Sequence, residues 1–247
     1  MTVKRDYASI AQKIEGWLRD YLDQSGSSGF IVGMSGGIDS SVTAILCRHV
    51  TDATLGLILP CGYYSHEDIS DAQYIAKKFK IETINYDLTP VYHAFLEVYG
   101  VSSTAKIDIP LANLKARLRM ITLYYEANKR KRLVVGTGNR TELAFGYFTK
   151  YGDAGVDILP LGSLLKREVR ALAQYLVIPE HIIIKSPSAG LWAGQTDEEE
   201  LGATYEQLDE LVVGRTPKGL SSKQIKKLRQ QITISEHKRK LPPICPI

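Results

Sequence analysis

Gly33-Met34-Ser35-Gly36-Gly37-Ile38-Asp39-Ser40-Ser41 follows the apolar run Phe30-Ile31-Val32 and opens a segment near residues 38–50 that reads as a helix. A buried strand, a glycine turn and a helix in that order make an anion site. Gly36 and Gly37 have no Cβ, so the backbone can adopt positive φ and come close to a ligand. The helix start supplies N–H groups without intrahelical acceptors and a partial positive charge. The dipole alone contributes only about 0.3–1 kcal/mol, so several N–H groups must act together. The loop is not a Walker A motif, which requires GxxxxGK[ST], nor a GxGxxG fingerprint. An acid inside a phosphate cradle is repulsive unless a cation bridges it to the phosphates. Mg²⁺ held by Asp39 and substrate phosphates answers that requirement.

Outward from this loop, apolar periodicity predicts alternating elements. Ile10, Ile14, Trp17 and Tyr21 mark a helix over about 5–24. Ala53–Leu59 and Glu82–Tyr86 read as strands, with a helix over about 65–80 between them. Leu111, Leu114, Leu118, Ile121 and Tyr125 mark a long helix, and Arg132–Val135 the next strand. A helix covers about 163–176, and Ile182–Ile184 is a β-branched run. Ser186–Glu200 reads as a long lid-like loop, Tyr205–Val213 and Ser221–Ile234 as helices, and Lys238–Ile247 as a basic, Pro-rich tail. Strand–helix alternation implies a mostly parallel sheet covered on both faces, an α/β fold of Rossmann-like type. Nothing demands a second domain, so residues 1–247 read as one unit.

Composition narrows the class. A hydrophobic content of 44% with 23% charged residues excludes wholesale disorder, collagen and coiled coil. No apolar run reaches the roughly 18–20 residues a membrane helix needs, and the polar N-terminus lacks a signal-peptide core. Cys47, Cys61 and Cys245 form no close-spaced set, which argues against disulfides and zinc and for the reducing cytoplasm. A net charge of +4 suits an anionic ligand without demanding nucleic acid.

The string Ser35-Gly36-Gly37-Ile38-Asp39-Ser40 resembles the SGGxDS pyrophosphate loop of the N-type ATP pyrophosphatases, adenylating enzymes that cleave ATP to AMP and pyrophosphate. That likeness implies the adenine nucleotide α-hydrolase-like form of the fold. Further strings narrow it: Gly136-Thr137-Gly138-Asn139-Arg140-Thr141-Glu142, Gly146–Asp153 with Asp157, Lys185–Glu198 and Ser235–Lys240. In this order they resemble the ammonia-dependent NAD synthetase family over essentially the full chain. The resemblance implies ATP-dependent amidation of deamido-NAD⁺ with ammonia, giving NAD⁺, AMP and pyrophosphate. Adenylation turns a poor acyl electrophile into one with a good leaving group, with no protein nucleophile.

The resemblance also implies roles. Gly33, Met34, Ser35, Gly36, Gly37, Ile38, Asp39 and Ser40 bind the ATP phosphates, and Thr137, Lys166 and Ser188 contact ATP. Asp39 and Glu142 hold Mg²⁺, and Asp39 and Lys166 are catalytic. Arg117, Lys150, Asp157, His237 and Lys238 contact deamido-NAD⁺. The family works as a homodimer in the cytoplasm, with no nucleic-acid or membrane partner. With 247 residues the chain has no room for the glutaminase domain some members carry, so free ammonia is the expected nitrogen source. A separate glutaminase partner stays open. One departure stands out: many relatives carry Asp where this chain has Gly190, so any role of that acid is absent or falls to Asp197, Glu198 or another group. The rival readings are a detached GMP synthetase subunit, a tRNA-modifying adenylating protein and a non-catalytic nucleotide-binding module.

Overall fold

The first helix, α1 (Tyr7–Ser25), starts where Asp6 accepts hydrogen bonds from Ala8 N and Ser9 N, and stops at Gly26 in the left-handed region. The structure, a computed structural model, describes residues 5–62, 65–102, 107–188, 190, 192 and 194–246. Ala189, Leu191 and Ala193 of the Lys185–Glu198 string, and Ile247 of the tail, lie outside them. The chain continues through β1 (Phe30–Gly33), α2 (Ile38–Val50), β2 (Thr54–Ile58), α3 (His66–Lys78) and β3 (Glu82–Asn85). Then come α4 (Thr89–Val98), α5 (Ile109–Arg130), β4 (Leu133–Val135), α6 (Arg140–Phe145) and α7 (Lys166–Tyr175). The C-terminal part holds α8 (Glu180–Ile184), α9 (Asp197–Leu201), α10 (Tyr205–Val212) and α11 (Ser222–Ile234), then a 3₁₀ turn over Ser235–Lys238.

The strands form a parallel sheet in the order β3-β2-β1-β4. Side chains alternate across it, as the two-residue strand period requires. Phe30 and Val32 of β1 join Ile58 in a core shared with α1, α2, α3 and α7, whereas Ile31 joins Leu55 and Leu57 in a core with α4 and α5. Burial on both faces explains why these strands read as continuous apolar runs. A third cluster packs Phe145 of α6 against Leu201, Tyr205, Leu208 and Leu228.

Most expected elements stand within a few residues of their predicted bounds. The helix expected from 163 begins at Lys166, because Glu168 reaches back to Leu165 N and closes the first turn there. The β-branched run Ile182–Ile184 lies in α8, where Ile182 and Ile183 bury in the first core; packing overrides the β preference. The acidic run Asp197–Glu200 is not loop but the first turn of α9, capped by Thr196. Its four carboxylates suit a helix N-terminus. Helix α4 has no counterpart among the expected elements.

Strand β1 lies between β2 and β4, and the chain leaves it in opposite senses on the two sides. This is the switch point at which open α/β sheets form a crevice beyond their carboxyl ends. Gly36, in the loop after β1, has φ +83°, and a Cβ there would lie 2.1 Å from the Asp68 carbonyl oxygen of α3. Gly37 is extended at φ −84°, so only the first of the two glycines needs positive φ. Gly36→Ala is therefore expected to destabilise the fold by about 1–3 kcal/mol from backbone strain alone, with the clash adding to it; urea unfolding of the two proteins reads the difference.

Candidate active site

A cavity of about 910 Å³ opens at the carboxyl ends of β1, β2 and β4. That volume is at the upper end for small-molecule sites. Its wall includes Gly33, Met34, Ser35, Gly37, Ile38, Asp39 and Ser40 of the first loop, with Thr137, Glu142, Lys166 and Ser188. Gly36 is held against α3, where a Cβ would meet the Asp68 carbonyl, and its positive φ turns the loop. The loop is braced by its own hydroxyls. Ser40 Oγ and Ser41 Oγ each donate to Gly37 O at 2.9 Å, and Ser35 Oγ lies 3.1 Å from Ser40 Oγ.

At the cavity floor a buried cation meets two carboxylates. Lys166 Nζ lies 2.5 Å from Asp39 Oδ2 and 3.3 Å from Glu142 Oε1, with its side chain only 3% exposed. Burial alone would lower the lysine's pKa, but Asp39 and Glu142 outweigh it and hold the ammonium charged. Asp39 comes from the first turn of α2, Glu142 from α6 and Lys166 from the first residue of α7. Asn139 orients two of them: its Nδ2 donates to Asp39 Oδ1 at 3.0 Å, and it shares a capping box with Glu142. The N-x-x-E spacing of Asn139 and Glu142 is a readable cap signature, yet nothing in the sequence links Asn139 to Asp39. Arg167 turns outward to Glu210, so Lys166 is the buried member of that basic pair.

The geometry of Lys166 is set from outside the sheet. Asp209 of α10, fully buried, accepts from Thr141 Oγ1 at 2.5 Å, from Lys166 N at 3.3 Å and from Arg167 N at 3.0 Å. It thereby fills the donor-rich start of α7. Asp197, at the end of the lid-like stretch, is buried and its N donates to Pro187 O, closing the neck of that stretch. Gly190 adopts φ +62° and its N donates to Ser188 Oγ, so glycine at 190 has a backbone reason. Lys185, just before the neck, is clasped by Asp68 and Asp71 of α3, each at 2.7 Å.

The residues expected on the second substrate divide. Lys238 lines the cavity, but its Nζ also donates to Gly146 O and Phe148 O at 2.8 Å, pinning the 3₁₀ turn to that loop. Arg117, Lys150, Asp157 and His237 do not line the cavity. Arg117 donates to Lys150 O and Lys150 to His237 O, a chain that places these three in one neighbouring patch. Asp157 accepts from Tyr124 OH at 2.9 Å and from Val134 N at 2.7 Å, so it braces β4. The aromatic loop is partly spent on structure: Lys238 covers the Phe148 ring and Tyr147 OH donates to Glu200 at 2.7 Å.

Burial, reinforced by Asp39, pushes the Glu142 carboxyl up to about 7. The folded protein thus keeps a proton there that the unfolded chain releases near 4.5. Stability from this group is fully present below 4.5 and is lost as pH rises through 7. Melting temperature followed across that window is expected to fall less steeply in Glu142→Gln than in the parent.

Comparison with known proteins places this geometry. The NAD synthase family model matches residues 10–242. The NH₃-dependent NAD⁺ synthetase of Alkaliphilus metalliredigens is 46% identical, over 95% of this chain and 98% of its own. That of Carboxydothermus hydrogenoformans is 43% identical, over 94% and 95%. Among solved structures, the NMN synthetase of Francisella tularensis has a TM-score of 0.91 at 38% identity, covering 99% of this chain and 100% of its own. The NH₃-dependent NAD synthetase of Campylobacter jejuni, solved with nitrate, has a TM-score of 0.79 at 29% identity, covering 98% and 100%.

Proposed function

The chain belongs to the NAD synthase family, and from that premise we propose how its residues perform the family's amidation. The reaction is ATP-dependent amidation of deamido-NAD⁺ with ammonia, a ligase reaction and the last step of NAD biosynthesis. The substrate carboxylate attacks the α-phosphorus of ATP and pyrophosphate leaves. Ammonia then attacks the acyl carbon, AMP leaves with the bonding pair and the nitrogen sheds a proton. The observation that carries the residue assignment is the meeting of Lys166, Asp39 and Glu142 beside the first loop in one cavity.

The start of α2 and the hydroxyls of Ser35 and Ser40 receive the ATP phosphates. Lys166, held charged, opposes negative charge growing on the α-phosphate, and fixed placement of both reactants supplies much of the rate. Thr137 and Ser188 contact ATP from the cavity wall. Two hard carboxylates, Asp39 and Glu142, held by the same ammonium in one cavity, fit a magnesium ion. Asp39 and Glu142 would hold Mg²⁺, which when bound neutralises phosphate charge. Among the described residues no group of three or more His, Cys, Asp or Glu is gathered for a metal, but two carboxylates completed by phosphates suffice for this ion. Arg117, Lys150 and His237 contact deamido-NAD⁺ along the patch beside the cavity, Lys238 from the cavity wall and Asp157 from its place against β4. Residues 1–247 act as one catalytic unit in the cytoplasm, with no nucleic-acid partner.

A second reading has its own support, the likeness to the Francisella NMN synthetase. On that reading the same centre amidates nicotinate mononucleotide, whose carboxylate is identical and which lacks the AMP half. Purified protein with ATP, Mg²⁺, ammonium and either acid decides. We expect NAD⁺ and AMP in equal amounts, and a higher kcat/KM for deamido-NAD⁺. A higher kcat/KM for the mononucleotide would transfer the assignment to it, and neither product would defeat both. Asp39→Ala is expected to lower kcat/KM by about 10²-fold or more.

Two copies of the chain pair through α5, where Ile109, Ile121 and Tyr125 are exposed. Light scattering is expected to give twice the 27.5 kDa chain mass; Ile121→Glu should shift it to one.

A further inference from the structure

Tyr205 is among the largest fully buried side chains described, 1% exposed, and its polar end reaches the charged centre. Its hydroxyl lies 2.9 Å from Asp197 Oδ2 and 3.3 Å from Glu142 Oε1, with the ring centroid 4.8 Å from Lys166 Nζ. One side chain therefore touches the catalytic lysine, a proposed metal ligand and the acid at the neck of the Ser186–Glu200 stretch. Its backbone is fixed as well: Tyr205 N donates to Glu198 Oε1 at 2.8 Å, and Thr204 caps the helix.

Helix periodicity explains how α10 does this. Tyr205 and Asp209 stand four residues apart, so they share a face. Asp209 holds the backbone nitrogen of Lys166 and Tyr205 faces its ammonium. The ring itself is ordinary core, packed with Phe145, Leu201 and Leu208. For packing alone phenylalanine would serve, and a buried hydroxyl is unfavourable unless it is bonded. Among the described residues its partners are the carboxylates of Asp197 and Glu142.

We propose that Tyr205 is a positioning residue: its hydroxyl and ring hold Glu142 and Lys166 in the arrangement that receives Mg-ATP. The proposal rests on the functional reading above and adds a residue from outside the sheet to it. The hydroxyl, shared between the Asp197 and Glu142 carboxylates, limits how far each can swing. The ring face keeps the ammonium from leaving its carboxylate partners, an attraction that strengthens when water is excluded.

The test compares the parent with Tyr205→Phe, which deletes one oxygen and keeps the ring. Calorimetric titration with Mg-ATP, without acyl substrate, is expected to show about tenfold weaker binding, the scale of one lost hydrogen bond to a charged group. Steady-state kinetics should show kcat lower by a similar factor, while the melting temperature shifts by only about 2–4 °C. Both binding and kcat within twofold of the parent would overturn the proposal, as would a fall in melting temperature with neither affected. The same oxygen deleted in a Glu142→Gln background should cost little more, since its partner is altered; full additivity would equally overturn it. A parent that binds Mg-ATP yet forms neither amide product removes the functional reading and leaves the binding comparison as the test of Tyr205.

Discussion

A lysine ammonium held between two carboxylates in a place nearly closed to water organises the candidate site. Removing a charge from water is expensive, and only opposite charges at close range offset it. Lys166 meets that condition through Asp39 at 2.5 Å and Glu142 at 3.3 Å. Glu142 lies in the same enclosure, and burial, with the charge of Asp39 adding to it, pushes its carboxyl up to about 7.

The sheet order puts these groups together. The loops after β1 and β4 leave neighbouring strands, so Asp39 and the Asn139–Glu142 cap arrive at one crevice. Lys166 enters from the start of α7, which packs on the same face as α2. The C-terminal helices complete the centre from outside: α10 fixes the lysine's backbone through Asp209 and faces its head with Tyr205. The 3₁₀ turn is clamped by Lys238 and Arg239, whose donors reach carbonyls over Leu143–Phe148. What looks like a basic tail in sequence is, up to Arg239, bonded onto the loop beside the cavity, with Lys238 in its wall.

Local chemistry made much of this readable before any coordinates. The strand–turn–helix around Ser35–Ser40 is a short-range pattern, and short-range patterns survive folding. Buried strands show as apolar runs because both faces of a parallel sheet are covered. Errors fell where packing decides: Ile182–Ile184 has β-branched chemistry but a helical place, and Asp197–Glu200 has loop-like polarity but caps its own helix. Lys166, Glu142 and Asp39 stand in short motifs of the sequence. Asn139, Asp209 and Tyr205 carry no local signal of their roles, because each acts on a partner 39 to 100 residues away in the chain.

Sequence alone determined the α/β class and the anion loop, since these depend on neighbours within a few residues, and its ordered motifs carry the family resemblance. Tertiary structure decided which lysine is buried, that Asp39 and Glu142 meet around it, which glycine is obligatory and which of the residues expected on the second substrate lie together. Arg117, Lys150 and His237 illustrate the last point: spread over 120 positions, they meet because the loop carrying Lys150 bonds to Arg117 of α5 on one side and to the C-terminal turn on the other. Charge pairing, close approach and enclosure from water are properties of distance in space, and a linear pattern carries them only where the chain returns within a few residues.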